Sequence, residues 1–122
     1  MGAWGSGPYD NDAAGDWLNE TGVFVANKVQ EVLDAPPCQY GSHYDRLRAA
    51  AWLFSHVGRA YTYDIYRMDE HRAALLGRLH ELRADDEYVS GWKDPARFLA
   101  DLDVLIERVA SPLREYSESC CI

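Results

Sequence analysis

Lysine is nearly missing from this chain. Lys28 and Lys93 are the only two, and the 12 basic residues stand against 20 acidic ones for a formal charge of −8. A surface that grips duplex phosphates needs clustered Lys and Arg, so this balance argues against nucleic acid as a partner. No helix-spaced stripe of Lys and Arg is visible either. Cysteine is also scarce: Cys38, Cys120 and Cys121 are odd in number and two are adjacent. That pattern makes no disulfide framework and fits a reducing cytoplasm. No apolar run approaches the roughly 20 residues of a membrane span, and no charged start leads into an apolar secretory core. Met1-Gly2 with Ser6 matches the loose myristoylation pattern. The Cys120-Cys121-Ile122 ending misses the prenylation motif, because Ser119 stands where its Cys belongs. The chain has neither a phosphate-binding loop nor a Gly-x-Ser-x-Gly elbow.

What the chain does have is 122 residues, 48% of them apolar and 26% charged, enough for one domain with a core of its own. The first seventeen residues are unusual for a chain start: Gly2, Gly5, Gly7 and Gly15, with Trp4, Trp17, Asp10, Asp12 and Asp16. Gly is costly to order and Trp costly to expose, so this arm is expected to dock on the rest through Trp4 and Trp17. Asp10, Asn11 and Asp12 sit where they would cap and charge the start of a helix.

The opening also carries a resemblance. Met1-Gly2-Ala3-Trp4-Gly5, Gly7, Tyr9-Asp10-Asn11-Asp12-Ala13 and Asp16-Trp17-Leu18 resemble the start of the DUF4259-domain family of small bacterial proteins. The similarity continues weakly through Ala49–Ala51 and the apolar stretch near Leu102–Tyr116, while Ala60–Trp92 departs from it. The resemblance implies a bacterial origin and a single compact domain, and it carries no activity to transfer.

Apolar spacing predicts an all-α bundle of five to six helices spanning 1–122, with 1–10 as the arm and 117–122 as a flexible tail. A short helix from Asp10 ends or bends at Gly22. A second, from about Val23 to Asp34, places Val25, Val29, Val32 and Leu33 on one face before Pro36-Pro37. The third, about His43 to Arg59, carries two apolar stripes: Leu47, Ala50, Ala51, Phe54 and Val57, and then Ala49, Trp52, Leu53 and His56. Being apolar on both sides, it should be central. A fourth reaches Arg83 with the stripe Ile65, Met68, Leu75, Leu76, Leu79 and Leu82, interrupted by Arg72. Ala84 to Gly91 reads as an acidic connection. Asp94-Pro95 starts a fifth helix with Phe98, Leu99, Leu102, Leu105, Ile106 and Val109 in register, and Ser111-Pro112 starts a short last one.

The chemistry is thin. Asp10, Asp12 and Gly15 resemble the front of a calcium loop, but Ala14 breaks it and Thr21 stands where a bidentate Glu should close it. The early glycines follow no strand, so they are not a dinucleotide fingerprint. His43, His56, His71 and His80 never recur at metal-ligand spacing on one helix, and His71 and His80 fall on opposite faces. No cofactor, metal or catalytic residue is therefore expected. A site assembled between helices from His56, Glu70 and His71, making a small metal-dependent enzyme, is the second reading. The first is a non-enzymatic protein-binding module, an immunity or anti-defence factor meeting a partner with a basic face. Its expected surface is Tyr61, Tyr63, Asp64, Tyr66, Asp69 and Glu70: tyrosines bury area at low entropic cost and carboxylates steer a basic partner. Tyr63 and Tyr66 are expected to share a helix face and act together. No membrane partner is expected, and the sequence leaves the oligomeric state open.

Overall fold

The computed structural model describes residues 12–35, 41–58 and 63–111, with the side chains of all but residues 12, 15, 41 and 42 among them. Five helices make up the described chain, α1 (Asp12–Asp34), α2 (Gly41–Val57), α3 (Ile65–Ala84), α4 (Asp86–Ser90) and α5 (Pro95–Ala110), and no strand occurs among the described residues. The fold is an all-α bundle. Helices α2 and α3 form a central pair, α1 and α5 each pack against both, and α4 bridges α3 to α5.

Each helix forms for local reasons. Asp94 caps α5, its Oδ1 accepting from the Arg97 backbone N–H at 3.1 Å, and Pro95 takes the first helical position where no N–H is needed. Asp64 caps α3 in the same way by accepting from the Tyr66 N–H at 3.1 Å. Asp85 serves two helices. Its N–H donates to the Leu82 carbonyl to close α3, and its Oδ1 accepts from the Tyr88 N–H to open α4.

The core is built from Val25, Ala26 and Val29 of α1, Leu47, Ala51 and Phe54 of α2, Leu75, Leu79 and Leu82 of α3, and Phe98, Leu102 and Val109 of α5. Burying each of the valines, leucines and phenylalanines is worth about 1.5–3 kcal/mol.

Four expectations are corrected. The helix expected to end or bend at Gly22 runs on from Asp12 to Asp34 as one element, with Gly22 buried inside it and no glycine at positive φ to stop it among the described residues. Gly in a helix interior costs about 1 kcal/mol, and burial of Val25, Ala26 and Val29 in the following turn outweighs that. The stretch read as a connection contains α4, because Asp85 supplies its cap. The second apolar stripe of α2 is exposed: Ala49, Trp52, Leu53 and His56 face outward, since the core-facing stripe alone meets α1, α3 and α5. In α3 the buried position between Met68 and Leu75 belongs to His71, and Ile65 in the first turn is exposed. The proposed short helix after Ser111 lies outside the described residues.

Arginines of α3 lash the helices together. No basic residue stands in the last turn of α1, and Arg78 Nη2 reaches across to donate to the Leu33 carbonyl there at 2.8 Å. Arg67 holds Asp64 at 2.7 Å and Asn27 of α1 at 2.8 Å.

Candidate functional site

Four residues of α2, Asp45, Arg48, Trp52 and Ser55, recur at three- and four-residue spacing and so line up on one helix face. On α5 the residues Arg97, Asp101, Val104 and Arg108 do the same. These two stripes are the walls of a groove of about 800 Å³, closed at one end by Trp92 and Lys93 of the segment that leads into α5. Two residues of the exposed second stripe of α2, Ala49 and Trp52, lie on the near wall. Trp52 is 54% exposed, Trp92 37% and Val104 48%, so the groove presents large apolar surface to solvent. Such surface gathered in one place marks interaction sites more often than scattered single residues do.

The aromatic end is rigidly built. Trp92 stacks on Phe98 with centroids 4.5 Å apart and planes 10° from parallel. The Arg48 guanidinium lies 4.9 Å from the Trp92 centroid and 5.1 Å from that of Phe98, favourable for both ring quadrupoles. Tyr88 meets both rings edge-on and anchors Arg48, whose Nη1 donates to the Tyr88 hydroxyl at 3.1 Å. That hydroxyl in turn donates to Asp45 Oδ1 at 3.0 Å. Tyr44 packs on Tyr88 at 4.7 Å and donates to Asp85 Oδ2 at 2.8 Å. Burial, and then the Asp85 carboxylate beside it, push the Tyr44 phenol up to about 12. The Tyr88 N–H, and then the Tyr44 hydroxyl, hold the Asp85 carboxyl below its ordinary range. Farther along the α2 wall His56 braces Trp52, with ring centroids 4.3 Å apart and His56 Nδ1 bonded to the Trp52 carbonyl at 2.8 Å.

The charges are unevenly engaged. Four of the groove's lining residues are basic (Arg48, Lys93, Arg97 and Arg108) and three are acidic (Asp45, Asp94 and Asp101), so a strongly acidic chain carries a positive excess here. The side chains of Lys93, Arg97 and Arg108 have no ion-pair or hydrogen-bond partner among the described residues. The sequence shows no helix-spaced run of Lys and Arg. Arg97 and Arg108 nonetheless share a face of α5, about three turns and about 16 Å apart, and the acid and valine between them hide the pattern.

The surface expected from sequence is only partly assembled. Tyr63 is fully buried, 0% exposed, with its ring edge-on to Phe54 at 5.0 Å. It precedes α3, so it does not share a helix face with Tyr66, which is 93% exposed. Asp64 is spent on capping α3 and holding Arg67, whose guanidinium lowers its carboxyl below the usual range. Asp69 and Glu70 are exposed on the turn after Tyr66. Tyr61 lies outside the described residues. Of the N-terminal motif, Trp4, Asp10 and Asn11 lie outside them as well. Asp12 opens α1, Asp16 is exposed, and Trp17 is 64% exposed rather than a buried anchor.

The trio His56, Glu70 and His71 is not brought together. His56 stacks on Trp52, His71 is buried with both ring nitrogens engaged, and no group of three or more potential metal ligands occurs among the described residues. His71 Nδ1 accepts from the Tyr63 hydroxyl at 2.5 Å and its Nε2–H donates to Gln30 Oε1 at 2.7 Å. Gln30 Nε2 donates to Asp34 Oδ1 at 2.8 Å, which orients the amide and so fixes the imidazole tautomer.

Burial, with Arg67 adding to it, holds His71 below its ordinary 6.5, so the folded state prefers the neutral ring and the unfolded state takes up the proton first. Stability is then complete above pH 6.5 and drains away as pH falls from there toward the folded value. Urea titrations at pH 7.5, 6.5 and 5.5 should show this loss in the wild type and a smaller one in His71→Gln. Parallel curves for the two proteins would assign the loss to other groups.

No helix among the described residues is long and apolar enough to cross a membrane. Comparison with protein-family models, with curated proteins and with solved structures returns no match.

Proposed function

We propose that this chain is a non-enzymatic protein-binding module that holds its partner in the groove between α2 and α5. The observation that carries the reading is the exposure of Trp52, Trp92 and Val104 along one groove lined by Lys93, Arg97 and Arg108, whose side chains have no partner among the described residues. Trp and Arg are the residues that most often dominate binding energy at protein interfaces, and both are preset here by stacking. The surface of Tyr66, Asp69 and Glu70 is the secondary candidate, since burial of Tyr63 removes the pair it was built on. The resemblance of the opening residues to the DUF4259-domain family extends the proposal to a bacterial cytoplasm. There an immunity or anti-defence factor that blocks a target protein is a fitting role for such a module.

Capture from the native cell tests this directly. A partner held by the wild type should be lost by the Trp52→Ala/Arg97→Glu double variant and kept by Tyr66→Ala. Retention by the groove variant with loss by Tyr66→Ala would move the interface to the start of α3. A wild type that captures nothing above a denatured control would overturn the reading.

A further inference from the structure

We infer that the groove receives an acidic segment of the partner, one that seats an apolar side chain against Trp52 and Val104 and sets carboxylates against Arg97 and Arg108. This rests on the groove being the partner site. Among the described residues, four basic side chains find no partner, Arg46, Lys93, Arg97 and Arg108, and three of the four line this groove. That is unexpected in a chain with 20 acids for 12 bases, where carboxylates outnumber the cations available to them. Cations left open beside exposed aromatic surface are complementary to an anion that also carries apolar area.

The order of residues along the wall narrows the chemistry. Reading down α5, Arg97 and Arg108 stand at the two ends, with Asp101 and Val104 between them. Asp101 has no side-chain partner among the described residues and repels a carboxylate placed at the centre. The fitting segment therefore has acids at its ends and an apolar residue in its middle. The span of about 16 Å between the two arginines equals about five residues of extended chain at roughly 3.3 Å each. Single-stranded nucleic acid also pairs aromatic stacking with cations. Its phosphates recur at every nucleotide, however, and so would meet Asp101 and Asp45, and the net charge of −8 repels a long polyanion. A basic segment meets the open cations directly.

Random twelve-residue peptides displayed on phage and selected on the folded chain test the inference. The enriched peptides, made synthetically, should be acidic with an aromatic or branched apolar residue between the acids. Their affinity should fall at least tenfold for Arg97→Glu/Arg108→Glu, with circular dichroism confirming that the variant is folded, and their association rate should fall as salt rises. Neutral or basic peptides that need Trp52 but ignore the two arginines would overturn the acidic segment and leave the groove as the partner site. Peptides that bind Trp52→Ala and Arg97→Glu/Arg108→Glu as well as wild type would remove the groove altogether. Failure to enrich any peptide, or tighter binding of a labelled twelve-nucleotide oligo-dT at the groove, would also overturn the proposal.

Discussion

Replacing Tyr63 by Ala is expected to cost about 3–5 kcal/mol in a urea or thermal melt, the range for truncating a fully buried aromatic side chain. The ring is sealed between Phe54 and His71, and among the described residues its hydroxyl alone bonds His71 Nδ1. Two losses therefore add: the cavity left by the ring and the unsatisfied imidazole nitrogen. Tyr63→Phe separates them. It keeps the packing and removes the hydroxyl, so it should cost only about 1–3 kcal/mol, the penalty of leaving a buried polar group unmade. Tyr66→Ala, on a side chain 93% exposed, should lie within about 0.5 kcal/mol of wild type. A Tyr63→Ala protein as stable as Tyr66→Ala would mean that the ring is not part of the core.

The contrast between these two tyrosines shows what local pattern can and cannot disclose. Tyr63 and Tyr66 read alike in sequence because both flank Asp64 at a helix start, where aromatic residues can turn either way. What separates them is a partner 8 residues on, His71, whose own burial follows from the packing of α1 against α3. The start of α5 was legible because Asp94-Pro95 carries its whole cause within four residues. The core stripe of α2 was legible because 3.6-residue spacing needs no knowledge of the neighbour. Gly22 misled, since whether a glycine ends a helix depends on what the next turn buries, and that is a tertiary matter.

The groove could not be read for the same reason. Arg48 and Trp92, or Asp45 and Tyr88, are brought together from more than 40 residues apart. Its one sequence signal was an excess: α2 holds a second apolar stripe beyond the one its three neighbours can cover. Such a surplus is consistent with a central helix and equally with a helix that spares one face for an interface.

Arg72 is the position where an apparent defect in pattern becomes a structural requirement, and removing it should have the second largest effect. It breaks the apolar stripe of α3, yet it is only partly exposed and reaches the ends of two other helices. Its Nε donates to the Val109 carbonyl near the end of α5 at 3.2 Å, and its Nη2 to the Gly58 carbonyl just past α2 at 3.1 Å. The guanidinium lies 5.3 Å from the Phe54 centroid, over the face of the core. Gly58 leaves no room to rearrange: a Cβ built there would come within 2.6 Å of the Phe54 carbonyl oxygen. A cation at the carbonyl ends of two helices is favourable to both dipoles, and charged donors make the stronger hydrogen bonds. Arg72→Met keeps the stem and deletes the guanidinium, so a loss of about 2–4 kcal/mol is expected, two charged hydrogen bonds reduced by partial solvent replacement. Arg72→Lys should recover little, because one ammonium lacks the planar fork that spans both carbonyls. Asp69→Ala should be nearly neutral, since that contact with Arg72 is at 3.3 Å and on an acid 92% exposed. Hydrogen exchange gives the local readout: the last turn of α5, which holds Arg108 of the groove, should open faster in Arg72→Met than the first turn capped by Asp94. Equal acceleration at both ends, or a stability change under 0.5 kcal/mol, would show that Arg72 merely fills its place in the stripe.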